Sequence, residues 1–270
     1  MLTEAEFVEQ QLSLGHRIHQ HDGVFWEEAY RFYCKPAFIY RAFDRGSARP
    51  HPLRSLLGYS HQVTDAVQGN RTVPFMVLER DGFDGFDLQK LPSPKRRIVR
   101  QGLSRCEVKP ILDLDPLLER VREINIAQSL RQEAGAGAET PARRYIDEAE
   151  DWRAQMRREF ALRGREWWGA FVDGVLAAYL RTYQVDGTRV IQHVKADTEF
   201  FRHRPVDALY FHLLRSVSSD SACTRIINGR PQHETLNRFK SQFLFQSQDL
   251  PYYSSNALLV SAAKRLLFRN

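Results

Sequence analysis

Residues 167–195 read WWGAFVDGVLAAYLRTYQVDGTRVIQHVK, which is three apolar runs separated by two Asp-Gly pairs. Asp-Gly between apolar runs is the strongest short-range signal for a β-hairpin, because both residues accept the positive φ that the tight turn requires. Aromatic and β-branched residues in the runs favour extended backbone. The stretch predicts an antiparallel meander with strands at 167–172, 175–183 and 189–195 and hairpin turns at Asp173-Gly174 and Asp186-Gly187.

Helices and strands are predicted on both sides of this meander. Strands joined by short turns, with helices before and after them, predict an α+β fold with a mixed, mostly antiparallel sheet. The predicted elements are a strand at 106–111, a helix that begins at Asp115-Pro116, a charged helix at 142–162, a helix that begins at Pro205, a strand around Ile226, a helix that follows it, a strand at Tyr252-Tyr253 and a terminal helix at 257–268.

The first 85 residues differ in character from the rest, because they are rich in aromatic residues and histidines. The pattern predicts helices at 4–14 and 24–33 and strands at 38–43 and 73–78. Asp-Gly pairs at 81–82 and 84–85 mark turns at the end of this region. We therefore predict an N-terminal accessory region at 1–85 and a main domain at 86–270.

The composition is that of an ordinary globular chain, with 43% hydrophobic and 27% charged residues among 270. No apolar run is long enough to span a bilayer. The acidic N-terminus, MLTEAE, lacks the plan of a signal peptide, so the expected compartment is the cytoplasm. The net charge of +6 is too small to define a nucleic-acid binder and favours an anionic cofactor or substrate such as a CoA ester, a nucleotide sugar or tRNA.

Neither the cysteines nor the histidines predict a metal site. Cys34, Cys106 and Cys223 are odd in number and far apart, so they form no zinc or disulfide pattern. His16 and His19 share a helical face in the sequence, but His21 does not join them, and no acidic residue has suitable spacing. No metal is expected.

The segment 224–245 predicts a strand, a turn at Asn228-Gly229 and an amphipathic helix. Leu236, Phe239 and Phe243 share one face of that helix, and the basic residues Arg238 and Lys240 flank Phe239. Such a helix is typical of a core element with solvated basic residues. The alternative is a helix that carries a cation at the edge of a cleft beside the preceding strand.

This segment resembles the end of an acyltransferase domain of the GNAT superfamily, and the Arg238-Phe239-Lys240 version resembles its Fem-like branch of aminoacyl-tRNA-dependent transferases and bacterial acetyltransferases. The resemblance implies an α/β/α sandwich of the acyl-CoA N-acyltransferase type, with the region 1–85 as a degenerate first half. Lys240 lies five residues before Phe245, where the GNAT pattern has its tyrosine acid. Leu244 replaces the glycine of the family's Gly-Phe pair.

The resemblance also implies where the groups of a reaction would lie. Lys240 is the candidate that stabilises the oxyanion when an amine attacks the acyl carbonyl, and Phe239 beside it is a site residue. Arg238 is a further substrate-binding candidate. Apart from the resemblance, Tyr252 and Tyr253 are candidate acids or packing residues, and Tyr253 is the one taken as catalytic. In GNAT proteins the cofactor's pyrophosphate lies on backbone amides at a helix N-terminus. The matching loop here has no glycine, and its candidate anion-binding residues are Arg202, Arg204, Val206, Asp207 and Ala208.

A second basic helix begins near Ser93-Pro94 and resembles the helix at the start of Fem-like domains. Arg97 and Arg100 lie on one face of it and are candidates to hold a phosphate or carboxylate of the acceptor. The alternative for both is a solvated basic face.

Together these features favour a bacterial-type acyltransferase that transfers an acyl group, with acetyl-CoA or another acyl-CoA as donor, to an amine or hydroxyl of a polar acceptor. Cell-envelope sugars and peptidoglycan precursors are the acceptors that the resemblance implies. Two alternatives stay open within the same fold: an aminoacyl-tRNA donor, and a non-enzymatic module that binds an anionic ligand. A third, supported only by the positive charge, is an RNA-binding protein.

Overall fold

The computed structural model describes residues 1–134 and 141–255. The helices are α1 (Glu4–Ser13), α2 (Arg80–Phe83), α3 (Ser93–Arg105), α4 (Leu118–Glu133), α5 (Ala142–Asp147), α6 (Ala149–Phe160), α7 (Pro205–Ser218) and α8 (Glu234–Ser241). The strands are β1 (Ile18–His21), β2 (Val24–Tyr30), β3 (Tyr33–Pro36), β4 (Ala42–Phe43), β5 (Gly58–Val63), β6 (Arg71–Glu79), β7 (Glu107–Pro110), β8 (Arg165–Val172), β9 (Val175–Val185), β10 (Thr188–Ala196), β11 (Arg225–Ile227) and β12 (Gln246–Ser254).

The chain divides into two compact units, which are described separately. The large unit contains residues 76–246, and the small unit contains residues 2–75 together with the segment from 247 onward. Residues 76–85 therefore group with the large unit, whereas the prediction assigned them to the N-terminal region. The predicted domain boundary after residue 85 stays a prediction.

The large unit is built on a six-stranded sheet in the order β6-β11-β10-β9-β8-β7. Every neighbouring pair is antiparallel except β10 and β11, which run parallel. The predicted meander is confirmed as β8, β9 and β10. Both of its Asp-Gly turns have positive φ at each residue, with 50° and 80° at Asp173-Gly174 and 43° and 80° at Asp186-Gly187. The predicted α+β fold with a mixed, mostly antiparallel sheet is thus confirmed.

Helices cover both faces of this sheet, because adjacent residues of a strand point to opposite sides. Tyr179 of β9 lies in a hydrophobic cluster with residues of α4 and α6, such as Val121 and Met156. Its neighbours Ala178 and Leu180 lie in a second cluster with residues of α3 and α7. The predicted charged helix at 142–162 is two shorter helices, α5 and α6, which meet at Glu148.

The parallel pair β10 and β11 separates early. Only three residues of each strand are paired, and the last pair is Val190 with Ile227. From Ile191, β10 continues alone on that side to Ala196. The pairing of β10 with β9 also shifts register between Ile191 and His193, which bends the strand. The divergence opens the sheet beside the beginnings of α7 and α8.

The small unit has the strand order β1-β2-β3-β5-β12, with β4 paired to β5. Its core is formed by Val24, Trp26, Cys34, Phe43 and Ala48. The prediction of a helix at 24–33 was wrong, because this segment is β2 and the start of β3. Asp22-Gly23 forms a hairpin turn with φ of 50° and 70°, and β2 then pairs with β1 on one side and β3 on the other.

Two further observations concern the described residues only. No helix in 1–134 or 141–255 is long and apolar enough to cross a membrane. The same part of the chain holds no group of three or more histidine, cysteine or acidic side chains arranged to bind a metal ion. The predicted terminal helix at 257–268 lies outside the described residues.

Candidate active site

A cavity of about 630 Å³ lies in the large unit where β10 and β11 diverge. Its lining comes from the end of α4, the second half of β10, the segment 201–204 with the first turn of α7, the turn that follows β11, and α8 with the residues just before it. Pockets of roughly 300–1,000 Å³ are typical of sites for small ligands and cofactors. The divergence of the two strands therefore creates a space of suitable size.

The lining of this cavity is strongly basic. Its cationic residues are Arg131, Lys195, Arg204, Arg230 and Lys240, and within 1–134 and 141–255 the single carboxylate of the lining belongs to Asp207. The Asp207 carboxylate is already engaged by Lys95, 2.5 Å away. A concave site lined by one sign of charge concentrates ligands of the opposite sign. The ligand that fits this cavity is an anion.

Lys240 is the most buried of these cations, with only 5% of the residue exposed. Its Nζ donates to the backbone carbonyls of Asn228, at 2.7 Å, and Arg230, at 3.3 Å. No carboxylate among the described residues pairs with it. Burial lowers the pKa of Lys240 to about 8. A buried ammonium without a counter-ion is costly unless something else compensates it, so an anionic ligand would stabilise its charged form.

Helix α8 ends in a Schellman cap, which fixes the backbone that follows Lys240. The Phe245 amide donates to the Lys240 carbonyl and the Leu244 amide to the Ser241 carbonyl, which is the bonding pattern of that cap. Leu244 has a φ of 70°. This is the left-handed conformation that glycine normally supplies at this position of the cap. The backbone turn expected of a Gly-Phe pair is therefore formed with leucine in the glycine's place.

Lys95 of α3 connects the two helices that border the cavity, although the prediction did not include it among the site residues. Its ammonium pairs with Asp207 in the first turn of α7. The same nitrogen lies 4.1 Å from the ring centroid of Phe239 and 4.3 Å from that of Phe243, both at α8. Burial lowers the pKa of Lys95, while the carboxylate of Asp207 opposes the shift. Lys95 thus fixes α7 relative to α8.

The beginning of α7 presents free backbone donors. Arg204 caps the helix with a left-handed φ of 60°, and Pro205 follows it. The Ala208 amide donates to the Arg204 carbonyl, whereas the amides of Val206 and Asp207 have no acceptor among the described residues. The first amides of a helix and its dipole together favour an anion. Arg204, Val206 and Asp207 line the cavity, but Ala208 does not.

Gly102 lets α3 approach this turn closely. A Cβ at Gly102 would lie 2.8 Å from the Arg204 carbonyl oxygen and 3.3 Å from the Cβ of Ala208. Any side chain there would displace the first turn of α7. Gly102 therefore fixes the position of the first turn of α7 by close packing of the two helices.

Two further polar features of the lining are a hydrogen-bonded pair, Tyr210 with Asn228, and the single side chain of His193. Tyr210 and Asn228 are hydrogen-bonded through the Asn228 Nδ2 and the Tyr210 hydroxyl at 3.0 Å, and burial raises the pKa of Tyr210 to about 12. His193 of β10 has a pKa lowered to about 3 by burial and by the charges of Arg181, Lys195 and Arg165. Sequence reasoning missed both, because a tyrosine on an apolar helix and a histidine on a strand give no local signal of a site.

Several predicted site residues are not brought to the cavity. Arg97, Arg100, Arg202 and Arg238 have exposed side chains and are not among its lining residues. Tyr253 belongs to the small unit, where its ring lies 5.9 Å from that of His61. The roles predicted for these five residues therefore rest on the sequence alone. Phe239 and Lys240 do lie side by side in the lining, as the resemblance implies.

The cysteines are unsuited to carry a covalent acyl group. Cys34, Cys106 and Cys223 are all buried. Burial raises the pKa of Cys34 and of Cys106 to about 11, so neither is a thiolate near neutral pH. Any acyl transfer in this site must therefore pass directly from donor to acceptor or use a nucleophile other than a thiol.

Comparison with known proteins shows the fold. No protein-family model and no curated protein sequence matches the chain. The crystal structure of FemX is similar, with 10% identity and a TM-score of 0.62, over 98% of this chain and 93% of that chain. The C-terminal domain of a proposed lysylphosphatidylglycerol synthetase from Agrobacterium fabrum has 10% identity and a TM-score of 0.60, over 98% of both chains. L-PGS from Bacillus licheniformis has 11% identity and a TM-score of 0.58, over 100% of this chain and 99% of that chain.

These likenesses extend over nearly the whole length of both chains. The fold that the resemblance to Fem-like proteins implies is confirmed by the likeness to FemX. Identities of 10–11% carry no conclusion about activity, because one fold supports many functions.

Proposed function

We propose that the protein is an acyltransferase that moves an acyl group from an activated, anionic donor to an amine or hydroxyl acceptor. The observation that carries this proposal is the coincidence, in one cavity, of the unpaired Lys240 ammonium and the free amides of Val206 and Asp207. The fold shared with FemX and with lysylphosphatidylglycerol synthetase domains supports the same reaction class.

The chemistry assigned to Lys240 is electrostatic. Attack on a thioester or ester carbonyl places negative charge on the carbonyl oxygen, and a fixed cation in a water-poor cleft stabilises that charge. The two carbonyls that accept from Lys240 fix the position of its nitrogen. The remaining rate enhancement comes from holding donor and acceptor in contact.

An acyl-CoA is the donor that we propose first. The beginning of α7 supplies two free amides and the Arg204 guanidinium, which are groups that bind a phosphate. An aminoacyl-tRNA is the second candidate, because the Arg238-Phe239-Lys240 segment resembles the Fem-like transferases, which use this donor. An acceptor among cell-envelope precursors or other small polar molecules remains part of the proposal.

The test is a binding comparison followed by product analysis. Melting temperature is measured with acetyl-CoA, CoA, aminoacylated tRNA and uncharged tRNA, because a ligand that binds only the native state raises it in a concentration-dependent way. We expect acetyl-CoA and CoA to stabilise the protein and mass spectrometry to detect transfer to an amine. Stabilisation by aminoacylated tRNA alone would select the second donor.

A non-enzymatic role is the outcome that would overturn the proposal. It is indicated if a donor binds at the cavity but no acyl product forms with any amine or hydroxyl acceptor tested, over many hours and at high protein concentration. Absence of binding by every donor would reject both the enzymatic and the anion-binding interpretation of this cavity.

A further inference from the structure

A second, smaller cavity lies in the large unit on the α4–α6 side of the sheet. Its volume is about 180 Å³, and its lining comes from α4, α5, α6, β9 and β10. This is below the roughly 300–1,000 Å³ of pockets for drug-sized ligands, so an occupant must have about the size of an amino acid. His193 and Lys195 line both this cavity and the one described above.

Arg181 gives the second cavity its chemical character. Its side chain is 8% exposed, and its Nη1 donates to Glu159 at 2.5 Å. Its Nε is buried and has no acceptor among the described residues. Glu159 is fully engaged, because its other carboxylate oxygen accepts from Gln155 at 2.9 Å. A buried arginine N–H without an acceptor is costly, and a carboxylate is the group that satisfies it best.

The surrounding charges point to the same ligand. Among the described residues, the lining contains the cations Arg144, Arg181 and Lys195 and the carboxylate of Glu159. Arg144 also pairs with Glu148, which is not in the lining, at 3.4 Å, and because both side chains are exposed this ion pair is weak enough for a bound carboxylate to replace it. Tyr145 and Trp152 add aromatic surface beside them, with ring centroids 6.0 Å apart. The cavity is therefore positive at one part of its wall and apolar at another, which suits a small organic anion.

We propose that the second cavity binds the acceptor of the reaction, and that this acceptor is a small molecule carrying both a carboxylate and an amine, of amino-acid size. The proposal rests on the proposed acyl transfer for the role of the amine. In this arrangement Arg181 and Arg144 bind the carboxylate of the acceptor. The amine of the acceptor faces His193, where the two cavities share a wall.

His193 is placed to receive the proton of the attacking amine. Burial and, after it, the positive charges of Arg181, Lys195 and Arg165 hold the pKa of His193 down. A bound carboxylate offsets the charges but not the burial, so the imidazole becomes a better base when the acceptor is present. In the step, the nitrogen–carbon bond forms and the bond from the acyl carbon to sulfur or oxygen breaks. His193 takes one proton from the nitrogen, and the leaving group takes up one proton in return.

The first test uses the unaltered protein and needs no donor. Isothermal titration calorimetry measures the binding of the standard amino acids, followed by the α-amide and the N-acetyl derivative of any that binds. We expect at least one amino acid to bind with a millimolar or lower Kd and its amide to bind at least tenfold more weakly. If none of the amino acids binds at 10 mM, or if the amide binds as well as the acid, the proposal is wrong.

Two neighbouring arginines provide a matched pair of variants. Arg144 lines the second cavity, whereas Arg143, also exposed on α5, does not. Arg144→Glu should weaken amino-acid binding about tenfold, and Arg143→Glu should leave it unchanged. Both positions are exposed, so both variants should fold. Equal effects of the two substitutions would show that only the overall charge matters and would overturn the assignment.

Substitutions at two buried arginines, Arg181 and Arg189, give an independent check. Arg181→Lys keeps the charge next to Glu159 but lacks the Nε–H. Arg189→Lys is its control, because Arg189 is also buried and paired, with Glu166, but lines neither cavity. Weaker amino-acid binding in the first variant alone is expected. Unchanged binding in Arg181→Lys would contradict the role of its Nε.

The donor titration separates the two proposals. If acetyl-CoA or aminoacylated tRNA binds and is used but no carboxylate-bearing amine binds, the acceptor proposal fails and the acyl-transfer proposal stands. If an amino acid binds as described and is not acylated while another amine or hydroxyl acceptor is, the second cavity is a carboxylate site only and the acceptor proposal fails. If a donor binds but no acceptor of any kind is acylated, the acyl-transfer proposal fails.

Discussion

Lys95 and Lys240 are two buried lysines of the same unit that differ in what surrounds their ammonium groups. Lys95 has a carboxylate partner, Asp207, and two aromatic rings. Lys240 has only two backbone carbonyls, and it faces the cavity. A paired cation contributes to the fold, because removing it leaves its partner charged and buried. An unpaired cation in a cavity remains available to a ligand, so the difference separates a positioning residue from a candidate catalytic one.

The largest expected effect is a loss of protein stability when Lys95 is replaced. Lys95→Met leaves Asp207 without its partner and should lower the free energy of unfolding by about 3–5 kcal/mol. Urea denaturation followed by circular dichroism measures this. The double variant Lys95→Met with Asp207→Asn removes both charges and should recover much of the loss. A single variant as stable as the wild type would show that the pair does not matter to the fold.

The second-largest effect is expected in the pH dependence of stability, and it comes from Lys240. Folding lowers its pKa from 10.5 to about 8, so between these values the unfolded chain binds more protons. The free energy of unfolding should therefore rise with pH across this window, by up to about 3 kcal/mol from this group, and the penalty is fully present below pH 8. The same measurement on Lys240→Met isolates the contribution of Lys240 to the pH dependence of the free energy of unfolding. Parallel pH profiles for the two proteins would contradict a lowered pKa.

The effect of Lys240 on catalysis is expected to be slightly smaller. Lys240→Met should lower kcat about a hundredfold, which corresponds to about 2.7 kcal/mol. Stability should change by only about 1 kcal/mol, because relief from desolvation offsets the two lost hydrogen bonds. Lys240→Arg should restore little activity, since a planar guanidinium does not replace a compact ammonium. The control is Lys109→Met, at an exposed lysine. An unchanged kcat in Lys240→Met would remove its catalytic role.

The smallest effect is expected at the beginning of α7. Arg204→Asn removes a guanidinium from the cavity and places a residue there that tolerates the left-handed φ. The Kd of the donor should rise about tenfold, or about 1.4 kcal/mol, without loss of stability. Arg202→Asn is the matched control, because Arg202 is exposed and does not line the cavity. Equal Kd changes in both variants would indicate general charge attraction only.

Local signals explain why the large unit was predictable and part of the small unit was not. Asp173-Gly174 and Asp186-Gly187 fix the meander from two residues each. Asp22-Gly23 carries the same signal, but Glu27 and Glu28 after it interrupt the alternation of a strand. The Glu27 carboxylate is held by His16 and Lys35 and that of Glu28 by Arg54, contacts that no local pattern reveals.

The site was predictable only in part for a similar reason. Lys240 and Phe239 are adjacent in the sequence, and a family resemblance was enough to single them out as candidates that line the cavity. Lys95 and Asp207 are 112 residues apart, so their pairing depends on the packing of α3 against α7. His193 acquires its position from the divergence of β10 and β11, which is a property of the whole sheet.

Nuclear magnetic resonance titration of Lys240 tests the central claim most directly. The protein is labelled with ¹³C at the lysine ε-carbons, and Lys240→Arg identifies the resonance. The account predicts that Lys240 titrates near pH 8 in the free protein and that its pKa rises when an acyl-CoA binds, because the anion stabilises the ammonium. Titration at the ordinary lysine pKa, with no response to any anionic donor, would contradict the claim that Lys240 is a buried, unpaired cation that meets the donor.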